Sequence, residues 1–224
     1  AVGTRVAFWH GYQYRGCWAE YCVLPETTVF TVPKTLPVGL AAQAVLNPLT
    51  MMGIVDEFGE MRPGEYVLQN GANSACGKFV IQYLKWKGFR TINVVRRSEQ
   101  APGLKALGAD QVISLDNEKL LTRVDEITDS AKVNYAIDCV WGEKVNDMVG
   151  AVANRGKLIA YGLLDGPTAP IAIFPMILGM RSITGFAIPT WMAEKSKEQL
   201  QSMVDLSSAL LSNGTVNLPY AAWP

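Results

Sequence analysis

"VLQNGANSACGKFVIQYLKWKGF", residues 67–89, joins a short apolar run to a loop of small residues and then to helix-like periodicity. Strand, glycine-bearing loop and helix in that order form a phosphate seat. Unpaired N–H groups and the positive end of the helix dipole face an anion there. The loop does not fit G-x-G-x-x-G, because Ala75 stands where that fingerprint often has glycine. Asn73 and Ser74 can cap the helix or donate to a phosphate, and Gly77 permits close helix–sheet packing. Taken alone, the loop also reads as a simple capped βα turn.

The surrounding rhythm favours the phosphate seat. "YVLQN" (66–70), "TINVV" (91–95), "DQVIS" (110–114), "VNYAIDCV" (133–140), "GKLIAYGLL" (156–164) and "RSITGFAI" (181–188) read as six strands. Between them lie helical patterns at 76–87, 99–108, 117–128 and 142–153, with another from 193 to 211. Alternation of this kind implies right-handed crossovers and a parallel sheet covered on both faces. The fold class is α/β, a doubly wound parallel (Rossmann) sheet. Residues 1–36 read as β structure, with short β-rich runs in "TRVAFW" and "CWAEYCVLP" and alternation in "TTVFTVP". From 36 to 61 the texture is helical, with a break expected near Asn47 and Pro48 because proline disfavours helix in the residue before it.

The end of the second strand selects the cofactor. A dinucleotide ribose is read there, by an acid for a 2′-hydroxyl or an arginine for a 2′-phosphate. "TINVV" ends in Arg96 and Arg97, with no acid before Glu99, which favours NADP over NAD. It also disfavours a methyltransferase, whose nucleoside site uses an acid at that place.

Composition bounds the rest. In 224 residues, twenty basic and twenty acidic side chains cancel, so no global field draws the chain to nucleic acid or an anionic membrane. The most apolar stretch, "IAIFPMILGM" (171–180), is too short for a membrane span and carries Pro175. Cys17, Cys22, Cys76 and Cys139 are too scattered for a disulfide framework and suit a reducing compartment. His10 is the single histidine, and Cys17 and Cys22 are too few for a closed metal site, so no metal is expected. The cysteine pair is expected to pack inside a β hairpin. Trp9, Tyr12, Tyr14 and Trp18, close to Arg15, read either as a stacking surface or as an amphipathic hairpin over the core. Trp191 fits a cleft-lining or a core role.

With these residues in place, the chain resembles the medium-chain dehydrogenase/reductase superfamily, in its zinc-less quinone oxidoreductase and mitochondrial-type 2-enoyl thioester reductase branches. "AVLNPLT" (44–50), "QNGANSACGKFVIQ" (69–82), "RTINVVRR" (90–97), "LKALGADQVIS" (104–114), "AIDCVWGE" (136–143) and "GKLIAYGLL" carry the likeness in order. The resemblance implies a partial GroES-like β domain at 1–36, a Rossmann NADP-binding domain at 37–212 and, at 213–224, the start of a return to the β domain. It implies NADPH as cofactor and hydride transfer to a conjugated carbonyl, a 2-enoyl thioester or a quinone, as the reaction. By position, Asn47 falls near the nicotinamide and Asn73, Ser74, Ala75 and Cys76 line the pyrophosphate. Arg96 takes the 2′-phosphate, with Arg97 in the place of a second arginine. Tyr161 and Gly162 end the fifth strand beside the cofactor, and Phe186, Ala187 and Ile188 present backbone to the carboxamide. No catalytic residue is assigned, since the tyrosine implicated in the reductases belongs to a part of the family fold that precedes this chain. Trp141 stands where the family usually has glycine, and an indole there narrows the cleft or packs on a partner. The expected assembly is a homodimer through the sixth-strand edge, Ile183 to Ile188, acting on a small-molecule substrate. The location follows the substrate: mitochondrial matrix for an enoyl thioester reductase, otherwise cytoplasm. A non-catalytic Rossmann relative within a larger assembly is the competing reading.

Overall fold

The computed structural model describes residues 2–9, 17 and 19–221. His10, Tyr12, Tyr14, Arg15 and Trp18 lie outside the described residues. The chain divides into two units, one formed by Ala1–Val55 with Ala187–Pro224 and the other by Asp56–Phe186.

In the first unit, β1 (Val6–Phe8) pairs antiparallel with β2 (Val29–Thr31). The run 19–25 forms no strand, and Cys22 is an exposed free thiol while Cys17 is a half-buried one; the rest of the expected hairpin lies outside the described residues. Helix α1 (Val38–Ala41) is one turn long, and α2 (Leu46–Asp56) follows it. The break therefore falls at 42–45, upstream of Asn47. Pro48 is the third residue of α2, where its missing N–H costs no helical bond. Eight residues of α2 are buried, so burial rather than amphipathic patterning holds it.

The second unit contains β3 (Tyr66–Gln69), α3 (Ala75–Trp86), β4 (Arg90–Val95), α4 (Ala101–Ala106), β5 (Gln111–Ser114), α5 (Leu120–Thr128), β6 (Val133–Asp138), α6 (Val145–Gly150), β7 (Val152–Ala160), α7 (Ile173–Gly179) and β8 (Ser182–Gly185). The strands form one parallel sheet in the order β5-β4-β3-β6-β7-β8. This is the doubly wound arrangement, with its switch point between β3 and β6. Leu68 lies in register with Ile92 on one side and Ala136 on the other, and all three are buried in the same cluster as Val94, Ile113 and Leu158. Helix α3 buries Phe79, Val80, Tyr83 and Leu84, while Trp86 stays exposed. Strand β7 starts four residues before Gly156. Its register with β6 jumps from Val133–Val152 to Tyr135–Lys157, and Arg155 at φ 63° absorbs the bulge. Helix α7 occupies most of the apolar stretch dismissed as a membrane span, with Pro175 in its first turn. Among the described residues no helix is long and apolar enough to cross a membrane. The sixth strand ends at Gly185, short of Ile188, although the Phe186 amide still donates to Ala160 O at 2.8 Å.

The chain then returns to the first unit. The single helix expected from 193 is two, α8 (Ile188–Ala193) and α9 (Lys197–Ser212). Ser196 and Gln199 form a capping box that starts α9 and so divides the pair. Gln201 accepts from Thr31 N and donates to Thr31 O, both at 3.0 Å, which satisfies the outer edge of β2 with a side chain. Trp191 is buried.

The in-register contacts of Leu68 generate a stability prediction. Leu68→Ala opens a cavity at the centre of the sheet and lowers unfolding free energy by about 2–5 kcal/mol in chemical denaturation.

Candidate functional site

Ligands of doubly wound sheets bind beyond the carboxyl ends of the strands, at the switch point. Three segments meet there on neighbouring strands: 70–75 after β3, 138–142 after β6 and 161–162 after β7.

Ser74 is the N-cap of α3 and accepts from Gly77 N at 3.0 Å, while Lys78 N donates to Ser74 O. The amides of Ala75 and Cys76 donate to nothing among the described residues. Two first-turn donors on a twelve-residue helix are therefore free to hold an anion. A Cβ on Gly77 would lie 2.5 Å from Ala72 O, so only glycine lets the helix start this close to its loop. Ala75 is exposed, and its methyl does not displace the turn. Asn73 is exposed and caps nothing.

Beneath the loop, Gln69 donates to Gly77 O at 3.0 Å and to Asn93 Oδ1 at 2.8 Å. Asn93 in turn donates to Thr91 and to Gln111 O. This buried polar chain ties α3 to β3, β4 and β5. At the end of β4, Arg96 is exposed and makes no hydrogen bond or ion pair with the described residues. Arg97 pairs with Glu99 at 3.3 Å, with both side chains mostly in water. Ser98 anchors the turn by donating from its amide and hydroxyl to Asp116, whose carboxyl is held below the usual range chiefly by that amide.

At the ends of β6 and β7, the Tyr161 side chain lies close to those of Cys76 and Cys139. Burial pushes the Cys76 thiol up to about 12, with Cys139 adding to the rise and Tyr161 opposing it. Cys139 and Tyr161 are also raised, mainly by burial. Near neutral pH the three present neutral S–H and O–H groups beside the helix start. A Cβ on Gly162 would lie 2.6 Å from Cys139 O, so the two strand ends touch there.

Sequence reasoning missed Asn70 and Asp138, the last polar residues of two apolar strands. Asn70 donates to Asp138 Oδ1 at 2.7 Å, and Cys139 N donates to Asn70 Oδ1 at 2.9 Å. An acid closing a buried apolar run, as in "YAID", was the available signal. Trp141 lies at φ 61°, ψ −145°, a region that suits glycine, which is why the indole is unexpected there. Its side chain packs against the sheet's hydrophobic cluster instead of narrowing a cleft. Asn47, half-buried on α2, and Ala187 and Ile188, at the start of α8, belong to the other unit.

Among the described residues, no group of three or more His, Cys, Asp or Glu gathers in a way that fits a zinc centre.

The fold is a doubly wound α/β sheet with a helix-capped loop at its switch point. A family model described as zinc-binding dehydrogenase matches residues 75–209. The chain belongs to that family, within the medium-chain dehydrogenase/reductase superfamily that its motifs resemble. It is 31% identical over 206 residues to the mitochondrial enoyl-[acyl-carrier-protein] reductase of Caenorhabditis elegans, covering 90% of this chain and 58% of the relative. A putative NADPH:quinone reductase from Mesorhizobium loti superimposes with a TM-score of 0.83 at 29% identity, over 95% of this chain and 62% of the other. The Escherichia coli quinone oxidoreductase complexed with NADPH shares the fold, with a TM-score of 0.82 at 22% identity over 88% and 60% of the two chains. The chain thus spans about three fifths of the length of these relatives.

The buried Cys76 thiol sets a pH dependence. Between pH 9, the ordinary value for the unfolded chain, and about 12, the unfolded thiol loses its proton while the folded one keeps it. Stability therefore falls as pH rises through that window. Relative to Cys76→Ala, the unmodified protein loses roughly 1.4 kcal/mol more per pH unit there. Parallel pH–stability curves for the two proteins would contradict this.

Proposed function

We propose that this chain belongs to an NADPH-dependent reductase that transfers hydride to a conjugated carbonyl, a 2-enoyl thioester or a quinone. The observation that carries the reading is the pair of free amides at Ala75 and Cys76, on the capped start of α3, together with the unpaired Arg96 at the end of the next strand. The amides and the helix dipole hold the pyrophosphate, with Asn73 and Ser74 at its rim. Arg96 pairs with the 2′-phosphate. Arg97 adds long-range charge, but Glu99 already engages it. Tyr161 and Gly162 border the cofactor. Asn47, Phe186, Ala187 and Ile188 are assigned to the nicotinamide end by their positions in the family motifs. Bound NADPH supplies the hydride. The chain's own part is to orient it and to keep the neighbouring side chains, Cys76, Cys139 and Tyr161, uncharged.

The names of the relatives support both acceptors, and the compartment goes with the acceptor: mitochondrial matrix for a thioester, cytoplasm for a quinone. The domain reading stays with the function: 1–36 as part of a GroES-like domain, 37–212 as the cofactor domain and 213–224 as the start of the return. NADPH binding without turnover of either acceptor would favour the non-catalytic alternative.

A homodimer through the β8 edge belongs to the same reading. The strand is an open edge, and α7, just before it, exposes Ile173, Phe174, Ile177 and Leu178, each more than 60% accessible.

Two measurements test these points on the full-length protein. In fluorescence titration, NADPH binds more tightly than NADH, and Arg96→Ala weakens NADPH on the order of tenfold or more while sparing NADH. A preference for NADH would remove the role given to Arg96. In sedimentation velocity at micromolar concentration the protein runs as a dimer, and Ile177→Glu with Leu178→Glu converts it to monomer. A monomeric unmodified protein would count against the edge.

A further inference from the structure

Asp138 is fully buried, and its two oxygens are used very unequally. Oδ1 accepts from Asn70 Nδ2 at 2.7 Å, from Val140 N at 2.8 Å and from Trp141 N at 2.7 Å. Oδ2 is equally buried and meets no partner among the described residues. Asn70 returns the bond by accepting from Cys139 N, and its carbonyl takes a long contact from Cys139 Sγ at 3.8 Å. A sheet does not need this arrangement for stability. β3 and β6 are already joined by their ladder, and the buried positions of β6 before Asp138, Ala136 and Ile137, are apolar. A buried carboxylate with an unsatisfied oxygen is a costly way to fill space.

Its position explains the cost better. Asn70 and Asp138 stand at the carboxyl ends of β3 and β6, the two strands that flank the switch point. Right-handed crossovers send the chain from these strands to opposite faces, so the loops diverge where a ligand enters. The clasp holds them together at the floor of that crevice. It also keeps Trp141 in a glycine-type conformation by binding its amide. Strain and unsatisfied polar atoms gathered in one place are more common at functional sites than in plain cores. The clasp reaches the cofactor seat by close packing: Asn70 fixes Cys139, a Cβ on Gly71 would lie 2.3 Å from Cys139 Sγ, Gly71 O accepts from the N-cap Ser74 amide at 2.9 Å, and Tyr161 lies beside both Cys139 and Cys76.

We infer that Asn70 and Asp138 are positioning residues that set the width of the switch-point crevice and, through Cys139 and Tyr161, the placement of the first turn of α3 against the dinucleotide. The inference rests on the NADPH reading. The clasp touches no cofactor atom itself.

The test compares the full-length protein with Asp138→Ala, Asp138→Asn, Asn70→Asp and the exchanged pair Asn70→Asp with Asp138→Asn. Each is measured for NADPH affinity, acceptor KM and thermal midpoint. Asp138→Ala leaves three donors, Asn70 Nδ2 and the Val140 and Trp141 amides, without that partner and weakens NADPH on the order of tenfold, with the acceptor KM unchanged. Asn70→Asp sets one carboxylate against another and has a similar effect. Asp138→Asn keeps an accepting oxygen, and the exchanged pair restores one amide facing one carboxylate, so both recover affinity to within about threefold of the unmodified protein. Folded variants that melt at lower temperature but bind NADPH normally would overturn the inference, as would an exchanged pair that recovers nothing. If Asp138→Ala does not fold, Asn70→Asp and the exchange decide the matter. An unmodified protein that fails to bind NADPH removes the functional reading first, and this inference with it.

Discussion

The hydrogen bonds between Asn70 and Asp138 close the sheet at the point where its two halves turn away from each other. In a doubly wound fold every other strand pair sends its loops to the same face, where neighbouring helices cover them. Between β3 and β6 the loops turn to opposite faces, and buried polar side chains complete the pairing there. Asn70 and Asp138 do this for the 139–141 amides. Gln69 and Asn93 do it for the start of α3. Two amides of that helix are left over, and these are the ones an anion can take.

The electrostatics of the seat follow from this economy. A dinucleotide brings negative charge, and an ionised thiol or phenol beside the pyrophosphate would oppose it. Burial keeps Cys76, Cys139 and Tyr161 protonated well above neutral pH. Arg96, without a partner among the described residues, is held at a strand end by a turn that Ser98 and Asp116 fasten. Positive charge sits at the rim and neutral donors sit inside.

The α/β rhythm was legible because strands buried on both faces must be apolar throughout, and the intervening helices carry periodic stripes. The capped loop was legible because Ser74 and Gly77 have local jobs that sequence displays. Boundaries set by tertiary context were not. Pro48 reads as a helix breaker but sits in a first turn, where no bond is lost. The apolar stretch at 171–180, read only as too short for a membrane span, folds as α7 before an open edge. "CWAEYCVLP" has strand composition, yet 19–25 forms no strand. The Asn70–Asp138 clasp was invisible because its partners are sixty-eight residues apart and meet only when β3 and β6 pair. Trp141 was noticed as a departure from glycine, but the direction of its indole depends on backbone angles that composition does not carry.

The central claim is that the start of α3 and the end of β4 together seat a 2′-phosphorylated dinucleotide. A crystal structure of the full-length protein grown with NADPH tests it most directly. The pyrophosphate is expected within hydrogen-bonding distance of the Ala75 and Cys76 amides, with the 2′-phosphate against Arg96. A cofactor bound elsewhere, or a pyrophosphate that leaves both amides unpaired, would contradict it.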